Sequence, residues 1–144
     1  MILLDTTILV YAVGAGHALQ KPCSALLELV AEGSVRATTT SEVIQEFTHI
    51  RALRRSRNDA ATLGRNYAIG LAPLVQPELE DLLDGLELFR RVTSLGSFDA
   101  VLAVSAQRRG WLLASADRAF ARVGGLTHLD PASSSFLEVA RIAG

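Results

Sequence analysis

The chain opens "MILLDTTILV": a short apolar run stops on a carboxylate, Asp5, and apolar residues resume two threonines later. Residues 2–5 read as a short buried strand. An acid at the end of such a strand is costly to bury unless something pairs it. The segment "GWLLASAD" repeats the pattern near the other end and finishes on Asp117. Two strands that each run into an acid restrict the fold to one in which strand ends gather at a polar edge.

The rest of the chain supplies that fold. Residues 6–13 begin a helix, with Thr6 or Thr7 offering a capping hydroxyl. "KPCSALLELVAEG" carries Pro22 in its first turn, apolar residues at helical spacing and Gly33 as a stop. "SVRAT" is a brief second strand, "TTSEVIQEFTHIRALRRSR" a long amphipathic helix, and 58–69 another helix. "LAPLV" is a possible third strand, and a helix opens at Pro77. Asp99 to Arg109 is a small-residue helix, "WLLAS" the fourth strand, "LTHLD" a weaker fifth, and 134–143 a closing helix. Short apolar strands alternating with helices predict an α/β fold with a mainly parallel sheet covered by helices on both faces. In such folds ligands bind beyond the carboxyl ends of the strands. Asp5 and Asp117 both fall there.

A chain of 144 residues suits a single domain, 1–144. Its 49% apolar and 20% charged residues fit a globular protein and not a disordered one. Net charge is −1, so attraction to nucleic acid has to come from a local surface. The single cysteine, Cys23, excludes an internal disulfide and reads as a buried inert thiol. Asp5 cuts the first apolar run short of a signal sequence, and no stretch is long enough to span a bilayer. The expectation is a cytoplasmic protein without membrane contact.

Two more acids join the first two. Asp99 opens the helix "FDAVLAVSA", and Glu46 borders the inward face set by Val43, Ile44, Phe47 and Ile50. Glu42 points further out and has a structural explanation, since "TTSE" matches a capping box from Thr39. Taken singly, Asp99 and Asp117 are ordinary helix caps or dipole partners worth under about 1 kcal/mol. Together, three acids converge on one sheet edge and Glu46 reaches over from its helix. Two carboxylates about 5 Å apart repel by roughly 3 kcal/mol at an effective dielectric near 20. Such a group either raises its pKa values or takes up a cation. An all-oxygen donor set suits Mg²⁺, with Mn²⁺ as a substitute. Zinc is disfavoured, because His17, His49 and His128 are scattered and Cys23 stands alone.

One basic stripe stands out. Arg51, Arg54 and Arg55 in "HIRALRRSR" share a helical face. Phosphate contact, a solvated face and a docking surface for an acidic partner all account for it.

"LLDTTIL", "SEVIQEF", "FDAVLAVSAQRRGWLLASADRAF" and "LTHLDP" together resemble a PIN domain, and more narrowly the toxin of a VapBC-type toxin–antitoxin pair, over essentially the whole chain. The resemblance implies an α/β/α sandwich and a Mg²⁺- or Mn²⁺-dependent endoribonuclease acting on structured RNA such as tRNA or ribosomal RNA, as a toxin that blocks translation and growth. It implies that Asp5, Glu46, Asp99 and Asp117 form an acidic quartet, with Asp5, Asp99 and Asp117 holding the metal. Ser115 matches the family's hydroxyl two residues before the last acid, and Thr6 and Thr7 its polar pair after the first. Thr6 and Ser115 are thereby candidates to orient the carboxylates. A VapB-type antitoxin and a second copy of the chain are the implied partners. For these, apolar residues over 40–70 (Ile44, Phe47, Leu53, Ala60, Leu63 and Tyr67) are candidates to line a groove. Two alternatives remain: a catalytically silent interaction module of this fold, and a Mg²⁺-dependent phosphatase, which "DTT" disfavours for want of a second aspartate.

Overall fold

Ile2, Leu3 and Leu4 are wholly buried and form β1 (Ile2–Leu4) in the middle of the sheet. A computed structural model describes residues 1–143. After β1 come α1 (Thr6–Ala12), α2 (Gln20–Ala31), β2 (Ala37–Thr38), α3 (Ser41–Arg54) and α4 (Arg57–Gly70). They are followed by α5 (Leu79–Arg91), α6 (Ser97–Arg108), β3 (Leu112–Ala114), β4 (His128–Leu129) and α7 (Phe136–Ala143). The four strands lie in the order β2-β1-β3-β4, and every neighbouring pair is parallel. Helices flank the sheet in a three-layer sandwich. No described helix is long and apolar enough to cross a membrane.

The strand order places the site. From β1 the chain crosses to β2 on one side and later to β3 on the other, so its direction of winding reverses between β1 and β3. A crevice opens at such a reversal, beyond the carboxyl ends of the two strands. Leu4 stands opposite Ala114, so residues 5 and 115 leave the sheet side by side.

Four local expectations are corrected. First, 71–75 forms no strand: Leu71 caps α4, Pro73 has no N–H for a ladder, and only Val75 pairs, with Thr40. Side-chain bonding does the rest, with Thr38 Oγ1 donating to the Pro73 carbonyl at 2.8 Å. Second, the box from Thr39 does not form. Thr39 is fully buried and its hydroxyl donates to the Leu4 carbonyl at 2.7 Å, so the cap of α3 passes to Thr40. Third, α6 starts at Ser97, which puts Asp99 inside its first turn. Fourth, the apolar residues of α3 and α4 are mostly core. Phe47 and Ala60 are buried, Ile44, Leu63 and Tyr67 pack on the core, and of the six only Leu53 is fully exposed. The unpartnered apolar stripe lies on α5 instead, where Leu79, Leu82, Leu83, Leu86 and Phe89 share one exposed face. Cys23 is buried, and desolvation pushes its thiol up to about 12, which keeps it inert.

Candidate active site

Asp5 follows directly on β1 and is only 3% exposed. It is itself the cap of α1, receiving the Thr7 N–H at 3.3 Å, so neither Thr6 nor Thr7 caps that helix as expected. Two hydroxyls close on the same carboxylate oxygen, Oδ2. Ser115 Oγ donates to it at 2.7 Å, and Thr7 Oγ1 donates at 2.7 Å. Each hydroxyl in turn accepts a backbone N–H, Ser115 from Asp117 and Thr7 from Ala116, both at 2.9 Å. A hydroxyl has one proton to give. With the backbone amides aimed at their lone pairs, both protons are committed to Asp5, and the 3.3 Å approach of Thr7 to Ser115 carries no further bond. Asp5 Oδ1 takes no hydrogen bond from a described residue, so the carboxylate is anchored through one oxygen and presents the other.

The remaining acids surround this one. A cleft of about 270 Å³ is lined by Asp5, Glu46, Asp99 and Asp117 together. Glu46 is exposed, and its Oε2 accepts the Thr6 hydroxyl, so Thr6 serves Glu46 and not Asp5. Asp117 does not end a strand. It is exposed and caps the 3-10 turn Arg118–Arg122, its Oδ1 accepting the Ala119 N–H at 2.8 Å. Asp99 is half-buried, and its pKa is raised to about 7, by desolvation first and then by the charges of Asp5, Asp117 and Glu46. The four acids therefore sense one another across a single cavity. Nearby cations do not relieve them: Arg118, next to Asp117 in the chain, reaches Asp130 at 3.7 Å. Arg54 lines the cleft without forming an ion pair to a described residue.

The donor set fits a hard cation, being made of carboxylate and hydroxyl oxygens. Among the described residues no three acids already stand at ligand spacing, so this is an open group of carboxylates and not a closed cage. Magnesium tolerates that arrangement, since it is commonly held by one or two carboxylates and keeps its waters.

The basic stripe divides. Arg51 Nε pairs with Asp59 at 2.5 Å and ties α3 to α4. Arg54 and Arg55 are exposed, and both line a groove beside the cleft. Thr7 was missed as a partner of Asp5: helix capping places its backbone N–H at the carboxylate, but does not say which hydroxyl of the pair turns to it.

A parallel sheet with an acid-lined crevice at its reversal point defines the class, and comparison defines the family. The PIN domain model matches residues 2–126. The chain is 45% identical over 141 residues to Ribonuclease VapC7 of Mycobacterium tuberculosis, covering 96% of this chain and 97% of that protein. It is 34% identical over 131 residues to Ribonuclease VapC13 of the same organism, covering 90% and 99%. Among solved structures, VapBC2 from Rickettsia felis, bound to a DNA fragment from its promoter, superposes with a TM-score of 0.68. That match has 19% identity and covers 90% of this chain and 98% of the other. Mycobacterium tuberculosis VapC20, described as a sarcin-ricin loop cleaving toxin, gives 0.67 at 18% identity, covering 86% and 95%. The chain belongs to the PIN-domain family, in its VapC branch.

Proposed function

We propose that this protein is a Mg²⁺- or Mn²⁺-dependent endoribonuclease and the toxin of a toxin–antitoxin pair. The observation that carries the reading is the cleft itself: four acids, a buried Asp5 with one oxygen held and one presented, and an Asp99 whose charge the other three oppose. The relatives support it, since the two proteins named above as ribonucleases are matched over nearly their whole length.

In this reading Asp5 and Asp99 hold the metal with Asp117. Bound there, the cation would acidify a coordinated water and offset charge developing on the scissile phosphate. Ser115 and Thr7 fix the carboxylate plane of Asp5, so its presented oxygen does not rotate away. Thr6 holds Glu46 at the cleft rim, where its other oxygen can accept a proton from water or complete the polar wall. Hydrolysis by water leaves a 5′-phosphate and a 3′-hydroxyl and does not need the 2′-hydroxyl of RNA as nucleophile. Cleavage of tRNA or ribosomal RNA would block translation and growth in the cytoplasm.

A VapB-type antitoxin would restrain the toxin, and the solvent-facing stripe of α5 is where we place contact with a second copy of the chain. The deciding experiment compares the parent with Asp5→Asn for Mn²⁺ binding and for cleavage of total RNA, with ends mapped after brief expression. Loss of both in the variant is the expected result. Equal cleavage by the two proteins, or cleavage that persists in excess chelator, would sink the metallonuclease reading. The silent-module and phosphatase alternatives gain nothing from the site.

A further inference from the structure

Ser115 joins two of the cleft's acids: its hydroxyl donates to Asp5 Oδ2 and accepts the Asp117 N–H. The residue is fully buried, so each of its backbone polar groups needs a partner as well. Its N–H reaches the Leu129 carbonyl at 3.2 Å, continuing the ladder in which the Leu113 N–H reaches Thr127 at 3.0 Å. In a parallel pair, a residue whose N–H bonds to carbonyl 129 has its own carbonyl served by the N–H of residue 131. That residue is Pro131, which has no N–H to give. The ladder therefore runs out one bond short, at the residue on which Asp5 and Asp117 both depend.

A side chain supplies the missing bond. His128, the first residue of β4, brings Nε2 to 2.8 Å from the Ser115 carbonyl, which has no other partner among the described residues. A carbonyl only accepts, so the proton of this bond is on Nε2. The same ring lies against Phe120, with centroids 6.1 Å apart and planes at 42°. Phe120 is wholly buried in the turn Arg118–Arg122 that Asp117 caps. One imidazole thus touches both the strand end that secures Asp5 and the turn that carries Asp117. It does not line the acid cleft and bonds to none of the four acids. On β1 the carbonyl of Leu4, just before Asp5, is closed in the same manner by the Thr39 hydroxyl. Packing against Phe120 needs only an apolar or aromatic side chain, whereas the buried carbonyl needs a donor.

We propose that His128 is a positioning residue of the acid cleft: its Nε2–H, given to the Ser115 carbonyl, fixes the peptide from which Asp5 is anchored and Asp117 is presented. The proposal deepens the metallonuclease reading and rests on it only for the metal-binding arm of its test. His128 acts through Ser115, neither as a ligand nor as a proton-transfer group.

The test compares the parent with His128→Phe, which keeps a ring and loses the donor, and with His128→Gln, which loses the ring and keeps an N–H of similar reach. Three quantities are measured on the full chain. They are the ring tautomer by nitrogen NMR in mildly alkaline buffer, amide hydrogen exchange in metal-free protein, and Mn²⁺ affinity by electron paramagnetic resonance. The His128 signal is identified by its absence from His128→Gln. The parent ring should carry its proton on Nε2. In His128→Phe the Asp117 amide should exchange at least about tenfold faster while the β1 amides keep their protection. Mn²⁺ should bind that variant about tenfold more weakly, and His128→Gln should lie within about threefold of the parent. A neutral ring protonated on Nδ1 alone overturns the proposal. So does a His128→Phe with parental exchange at Asp117 and parental Mn²⁺ affinity, or a His128→Gln as impaired as His128→Phe, because packing and not the donor would then be what counts. Equal acceleration at β1 and at Asp117 marks a general loss of stability and overturns it too. If His128→Phe does not fold, the parent tautomer and His128→Gln decide. A parent that binds no Mn²⁺ brings down the metal reading, and the tautomer and the exchange at Asp117 still decide the role of His128.

Discussion

Asp5 and Asp81 are both buried aspartates, 3% and 2% exposed, and the fold treats them in opposite ways. Asp81 lies in the first turn of α5, where it accepts the Glu78 N–H at 3.0 Å and receives Arg109 at 3.0 Å and Arg108 at 3.3 Å. Burial pushes its pKa up, but the Glu78 amide and the Arg109 guanidinium outweigh that and hold it below the usual carboxylate range. Asp5 has no cation. Its held oxygen is served by hydroxyls and one amide, its neighbours are acids, and the strain appears on Asp99. Burial of an acid is therefore not by itself a sign of function. What separates the two is whether the protein supplies the counter-charge or leaves it to a ligand.

That contrast can be broken by exchange of phenotype. Asp5→Asn should reduce RNA cleavage at least about a hundredfold while barely moving the urea midpoint, because it removes a charge the fold leaves unpaired. Asp81→Ala should do the reverse, with stability falling by about 3 kcal/mol as Arg109 loses its partner and cleavage per folded molecule unchanged. Should Asp81→Ala abolish cleavage in a protein shown to be folded, the division between the two acids fails.

Smaller effects sharpen it. On the Asp81 side, α5 and α6 approach so closely at Gly85 that an added Cβ would sit 2.7 Å from the Val101 Cα, which is backbone and cannot swing aside. Gly85→Ala should cost about 2 kcal/mol in urea unfolding without altering Mn²⁺ affinity. On the Asp5 side, Thr7→Val removes one of the two hydroxyl anchors. Mn²⁺ affinity should drop about tenfold, and Thr7→Ser should restore it, which a purely packing role would not predict.

The contrast also extends to pH dependence. Asp99 has a folded pKa of about 7 against 3.8 for the free group, so the folded chain binds its proton more tightly. Its contribution to stability is full below about pH 3.8 and is lost as pH rises through 7 in metal-free protein. Asp81, held below 3.8, contributes stability that is present above that value and is lost as pH falls through its folded pKa. Urea midpoints against pH should show Asp99→Asn flattening the neutral limb and leaving the acidic limb alone. Saturating Mn²⁺ should flatten the same neutral limb.

Much of this site was legible in the chain. Asp5 was readable because an apolar run ending on an acid has few structural excuses; Glu46 was preferred to Glu42 on helical phase and does line the cleft, although it is the more exposed of the two. The role of Thr7 was not legible, since nothing in "DTT" says which hydroxyl turns toward the carboxylate and which toward α3. Nor was the loss of Arg51 to Asp59, a partner on the next helix. The α5 stripe had a signal, apolar residues at 79, 82, 83, 86 and 89, but spacing alone does not say which face a helix buries. Here Gly85 and Leu88 pack inward with Asp81, and Leu79, Leu82, Leu83, Leu86 and Phe89 face out.

By itself the sequence determined the parallel α/β class and most element types, 71–75 excepted, and it singled out the four acids that line the cleft, because hydrophobic period and the acids that follow or flank it are local properties. Only the tertiary structure decided which oxygen of Asp5 is held, that Asp99 feels three other carboxylates, and that a basic groove adjoins them. Those depend on residues as far apart as 5 and 115 leaving adjacent strands side by side, and that adjacency exists only once β1 and β3 have paired.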